Sequence, residues 1–267
     1  MKGRSGSIRV KLLPAGTFCL LVLIWWGISA SGLIPGYMLP SPADVASAFV
    51  RDFQNLMAHA LVSVTEAIYG LIIGTVLAFG LAYAMDRFLP LEQAVLPLLV
   101  VTQPIPTIAI APLLVLWMGF GMEPKITLVV ITTFFPIAVG LLDGFKSADP
   151  DAVALLRSMN ATRIQIFHHV KFPAALPYFF SGLRISASYA VVGAVISEWL
   201  GGFEGLGVYM TRVRKAYAFD KMFAVILLIV IVSLLLMKLV TLIRTLSMPW
   251  LRAREQQTGA ARTNNVY

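Results

Sequence analysis

The chain has 267 residues, 58% hydrophobic and only 13% charged, with a net charge of +8, whereas an average soluble domain carries about a quarter charged residues. A soluble fold of this length needs polar residues interleaved over its outside; long stretches here have none, so the covering medium is the bilayer. The basic residues sit in short segments between apolar runs, a pattern of membrane orientation and not of a nucleic-acid surface. The single cysteine, Cys19, excludes an intrachain disulfide and a cysteine metal cluster.

Six segments reach the ~20 mostly apolar residues that a crossing helix needs. The first is Gly16 to Ile34, within the uncharged stretch 12–43, and the second covers Ala67 to Met85. The third lies inside the uncharged stretch 93–122, and the fourth runs from Ile126 to Leu142. The fifth, Pro177 to Leu200, contains Arg184, and the sixth runs from Met222 past Lys238 to Ile243. Either long uncharged stretch has room for an extra helix. The basic start followed by an apolar run and by Ser29, Ala30 and Ser31 also fits a cleaved leader. Losing it would leave the later spans oriented as before.

Fourteen of the 21 lysines and arginines fall on the side of both chain ends and six on the other, which puts both termini in the cytoplasm. The four basic residues from Arg212 to Lys221 run against this rule, and an amphipathic or re-entrant segment accounts for them. Residues 1–11 then form a cytoplasmic segment, 12–248 the membrane domain, and 249–267 a polar, aperiodic tail expected to be disordered.

Charges and breaks within the spans supply candidate pathway residues. Glu66 opens span two and Glu198 closes span five, both toward the outside, where they flank a solute entrance or simply sit at the interface. Arg184 is expected to anchor its span or to pair with Asp143 or Asp86. Pro97, Pro104, Pro106 and Pro112 must bend or break span three. Irregular backbone at membrane depth is tolerated only beside protein or a watery cavity, so Gln103 and Thr107 are pore-lining candidates, a packing kink being the alternative. His168 and His169 point about 100° apart on a helix and form no joint metal site.

Between spans four and five lies KSADPDAVALLRSMNATRIQIFHHVKFPAALP, too long for a turn. Asp149 caps a first helix that Pro150 opens, with Ala154, Leu155, Leu156 and Met159 as its apolar face. Asn160 sits at the turn, where the left-handed conformation is needed. Thr162 caps a second helix with a stripe of Ile164, Phe167 and Val170, which Pro173 is expected to stop. The pair either docks on a partner or lies on the membrane surface.

This stretch resembles the coupling loop, or EAA motif, of permease subunits of bacterial ABC importers: Glu-Ala-Ala, three residues, Gly, nine residues, an aliphatic residue, one residue, Leu-Pro. Aligned on Val170, Phe172 and Pro173, the opening triplet falls on Ala154, Leu155 and Leu156 and the glycine on Asn160, so the acid and the glycine are both replaced. The runs TQPIPTIAIAPLLVLWMGFG and SEWLGGFEGLGVYMTRVRKAYAFDKMFAVI look like the nitrate, taurine, sulfonate and thiamine-precursor branch, most of all its hydroxymethylpyrimidine permeases.

The resemblance implies an all-α type I importer permease fold with about six transmembrane helices and a cytoplasmic coupling helix pair. It implies a second permease copy, an ABC ATPase subunit and an extracytoplasmic solute-binding protein as partners, in a bacterial inner membrane. The coupling residues it points to are Leu155, Leu156, Asn160, Ala161, Arg163, Ile164, Gln165, Phe167, Val170 and Pro173. The chain has no GxxxxGK[ST] phosphate loop, so it is expected to be no enzyme and to bind no cofactor, with ATP and Mg on the ATPase. The expected solute is a pyrimidine thiamine precursor, with nitrate, taurine, an aliphatic sulfonate or riboflavin as alternatives. A secondary transporter or channel is the competing class, but the inverted repeats typical of such folds are not visible.

Overall fold

The computed structural model describes residues 3–249, which form helices with no strand among them. Helix α1 spans Gly3–Ala30 and the short α2 spans Pro42–Arg51. Ser41 and Asp44 cap α2 reciprocally: Asp44 N donates to Ser41 Oγ at 3.2 Å and Ser41 N to Asp44 Oδ2 at 3.1 Å. Helix α3 runs from Phe53 to Arg87, α4 from Leu89 to Thr102 and α5 from Thr107 to Met118. Helix α6 covers Glu123–Lys146, α7 Pro150–Ser158 and α8 Arg163–Ile166. A π-helical turn, Phe167–Lys171, joins α8 to α9, Phe172–Gly201. Helices α10, Leu206–Lys215, and α11, Phe219–Ser247, complete the described chain.

Among the described residues, α3, α6, the continuous run Arg163–Gly201 and α11 are long and apolar enough to cross a membrane. Helices α4 and α5 make a fifth crossing only as a pair, bent by 101°, and Gly16–Ala30 is a shorter apolar helix at the place of the first expected span. The break between α4 and α5 falls at 103–106, where Pro104 and Pro106 withdraw two backbone donors in succession. Pro97 and Pro112, by contrast, sit inside their helices.

Small residues let the central helices touch. A Cβ added to Gly144 of α6 would stand 2.6 Å from Ala175 Cα of α9, and one on Gly140 would stand 3.1 Å from Tyr178 O. Such close backbone approach is how helices associate where lipid removes the usual hydrophobic drive. Ala138, Leu141 and Phe145 of α6 pack there with Ala187, Ala190 and Val191 of α9. A second cluster joins α2, α3, α10 and α11 through Val45, Leu56, Leu206 and Val225.

Helix α10 explains the basic residues that run against the charge rule. It is amphipathic, burying Leu206, Val208, Tyr209 and Val213, and it places Arg212, Arg214 and Lys215 in its last turn, where the helix dipole favours cations. Arg212 Nη2 donates to Phe203 O at 2.7 Å, and Lys221 Nζ lies 3.3 Å from Asp52 Oδ2. These charges answer local structure, so they carry little weight as a topology signal.

Asp52, just before α3, accepts from the Tyr209 hydroxyl and from Asn55 Nδ2 at 2.8 Å. The Tyr209 hydroxyl chiefly holds its carboxyl below the usual range, outweighing the upward push of burial. A lowered folded value means stability that is present above about pH 4 and lost as pH falls through that lowered value. Unfolding midpoints of wild type and Asp52→Asn in detergent should therefore differ most at neutral pH and converge in acid. A gap that widened toward low pH would refute the assignment.

Two expectations are corrected. Pro173 does not stop a helix: the chain stays helical from Arg163 to Gly201, because the π turn shifts the bonding and Phe172 N reaches back to Phe167 O. The added residue in that turn relieves the clash a proline imposes on the carbonyl four residues earlier. Asp86 is paired with Lys171, Nζ to Oδ1 2.7 Å, and not with Arg184, which is exposed. The tail expected to be disordered lies outside the described residues.

Candidate functional site

The loop between α6 and α9 is shaped by its caps. Asp149 Oδ1 accepts from Asp151 N at 3.0 Å at the start of α7. Asn160 takes the left-handed conformation, φ 57°, which reverses the chain in a position usually given to glycine. Thr162 and Gln165 then form a capping box, Thr162 N donating to Gln165 Oε1 at 2.7 Å and Gln165 N to Thr162 Oγ1 at 3.3 Å. Leu156 and Ala161 are half-buried at this turn, and Ala161 N closes it on Leu156 O at 2.9 Å.

The expected stripe of Ile164, Phe167 and Val170 divides. Leu155, Met159 and Ile164 stand 62%, 69% and 73% exposed, making an apolar face with no covering among the described residues. Phe167 turns the other way, its ring 4.8 Å from Tyr83 and 5.1 Å from Phe145, and it packs into the bundle core. Val170 and Pro173 are half-buried with it. Helical spacing puts these residues on one stripe; the bundle covers Phe167 and Val170 and leaves Ile164 bare.

Beside the apolar face lies a cavity of about 640 Å3 lined by Ile164 and by Arg87, Arg157, Arg163 and Lys171. Lys171 is neutralised by Asp86, whereas the three arginines make no ion pair among the described residues. Arg163 and Gln165, expected to flank the docking stripe, are both exposed. Arg157 and Arg87 were not expected there; the arginine three residues before Asn160 was the available signal.

A second cavity, of about 680 Å3, opens at the bend between α4 and α5 against α6 and α9. Gln103 and Thr107 both line it. Glu66 and Glu198 do not: they are 0% and 1% exposed, packed between helices. Lys125 Nζ reaches Glu66 Oε1 at 2.7 Å. Glu198 accepts from Ser63 Oγ at 2.5 Å and from Gly207 N at 2.6 Å.

Ser63 Oγ also accepts from Leu206 N at 2.8 Å, and His59 Nδ1 from Gly205 N at 3.0 Å. The three amides opening α10, which have no partner within their own helix, are thus met by side chains from α3 and α9. Ser63 and Glu66, three residues apart on one helix face, were the sequence signal for this buried group. Among the described residues no group of three or more His, Cys, Asp or Glu is placed to hold a metal ion.

The family model for the binding-protein-dependent transport system inner membrane component matches residues 70–253, which takes in the bent pair, the loop and both cavities. The chain belongs to this family. The permease is 36% identical over 230 residues to a probable ABC transporter permease protein of Haemophilus influenzae, covering 86% of this chain and 94% of that one. It is 35% identical over 234 residues to a formylaminopyrimidine transport permease protein of Halalkalibacterium halodurans, covering 87% and 94%. In fold it is similar to a chain from the crystal structure of an amino acid ABC transporter, with a TM-score of 0.62, 16% identity, and coverage of 73% of this chain and 95% of that one. The permease is therefore a membrane-embedded subunit of an ABC importer.

Proposed function

We infer that this permease carries a pyrimidine thiamine precursor across a bacterial inner membrane as one of two identical copies, with both termini in the cytoplasm. An ABC ATPase subunit docks on Leu155, Met159 and Ile164, and the rigid turn at Asn160 passes its movement through the continuous helix Arg163–Gly201 into the bundle. ATP and Mg sit on that ATPase, and this chain holds no cofactor. The observation that carries the coupling reading is the exposed apolar face built on the capped pair α7–α8, since an amphipathic helix laid in an apolar groove is a recurring mode of recognition. The solute reading is supported by the similarity to the formylaminopyrimidine permease.

Two measurements test it. The chain co-expressed with its ATPase should co-purify with it in detergent, and a chain that purifies alone under all salt conditions would end the coupling reading. The solute-binding protein should bind hydroxymethylpyrimidine; a protein that took taurine, nitrate, a sulfonate or riboflavin and ignored pyrimidines would replace the solute.

A further inference from the structure

We propose that the cavity at the break between α4 and α5 is a solute site belonging to the permease itself, selective for an uncharged, planar, hydrogen-bonding ring and closed to anions. The site rests on the importer reading for its place in a transport path, and goes beyond it by giving the membrane chain its own filter.

The first observation is charge. Among the described residues no Lys, Arg, His, Asp or Glu lines this cavity of about 680 Å3, although the chain carries a net charge of +8. A nitrate or sulfonate entering it would lose water and meet no counter-charge. A neutral heterocycle carries no such penalty.

The second observation is the set of polar groups left over. Thr102 and Thr132 also line the cavity, but their hydroxyls are committed to Leu99 O at 2.7 Å and Val129 O at 2.9 Å. The Gln103 amide, the Thr107 hydroxyl and the Tyr189 hydroxyl make no hydrogen bond among the described residues and all line the cavity. Together they offer donors and acceptors of both kinds, the complement to the edge of an amino-substituted ring. Aromatic surface is supplied by Tyr189 and Phe135 from α9 and α6, and a planar ring gains from stacking on such faces. The volume falls in the range of roughly 300–1,000 Å3 common to small-molecule sites.

The bend makes the site possible. A straight span three would turn Gln103 and Thr107 about 40° apart on a continuous backbone, whereas the 101° bend sets them at the mouth of a concavity walled by α6 and α9. The same residues that interrupt the helix therefore create the room for a ligand.

The test uses the full permease with its ATPase partner in nanodiscs, without the solute-binding protein, titrated with tritiated hydroxymethylpyrimidine. Saturable binding is expected, insensitive to an excess of taurine or methanesulfonate. Gln103→Ala and Tyr189→Ala should each weaken it about tenfold, the scale of one lost hydrogen bond or ring contact. Tyr189→Phe should keep the ring's share of the binding, and Thr245→Ala at the inner end of α11 should change nothing. Absence of saturable binding, equal competition by taurine, or unchanged binding in both alanine variants would each overturn the proposal. ATPase retained in the same nanodiscs reports separately on the importer reading, so the two can fail independently.

Discussion

Replacing Lys125 with methionine should destabilise the bundle by about 3–5 kcal/mol, the cost of leaving one partner of a buried ion pair alone. Lys125 and Glu66 meet at 2.7 Å with side chains 7% and 1% exposed, so neither can turn to water when the other is removed. Glu66 Oε2 has no donor of its own, and Lys125 is the hydrogen-bond partner of Oε1. Without the ammonium, the Glu66 carboxyl group would be left buried with no partner among the described residues. Adding Glu66→Gln to Lys125→Met should restore most of the loss, because it removes the stranded charge. The check is thermal unfolding of the purified chain in detergent, with a drop on the order of 10 °C for the single variant. A single variant as stable as wild type, or a double variant no better than the single, would sink this account.

Converting Leu155, Met159 and Ile164 together to serine should weaken ATPase association at least about a hundredfold, since a few apolar anchors commonly carry most of an interface's affinity. All three are exposed, so the variant should keep the wild-type unfolding midpoint. Phe167→Ala should do the opposite. Its ring packs on Tyr83, Phe145 and Phe172, and truncating a core phenylalanine costs about 3–5 kcal/mol, so stability should fall while the residual folded chain still binds ATPase. Pull-down with labelled ATPase alongside an unfolding scan separates the two outcomes. Loss of ATPase binding from Phe167→Ala at unchanged stability would return Phe167 to the docking face.

Much of this architecture is legible in the sequence because the bilayer demands long apolar runs and the caps are local. Asp149, Asn160, Thr162 and the proline break all act within a few residues of themselves, and each appears where the chain's own chemistry placed it. The burial of Phe167 is not legible, because helical spacing defines a stripe without showing which part of it the bundle covers. The burial of Glu66 and Glu198 is hidden for a different reason. Their partners Lys125, Ser63 and Gly207 come from separate elements, and a carboxylate at a span's end reads the same whether it faces water or a lysine from another helix. Helix α10 was only half visible: its amphipathic pattern could be anticipated, but the three side chains meeting its first amides could not.

The π turn at Phe167–Lys171 also sets an angular index between the loop and the span. One residue more or fewer there turns everything upstream by about 100° around the helix axis, while moving it only about 1.5 Å along it. The direction in which Ile164 points is thus a property of residue count in a five-residue stretch, separable from the apolar face itself. Relatives that differ by one residue in this stretch would address their ATPase from another bearing with the same loop chemistry.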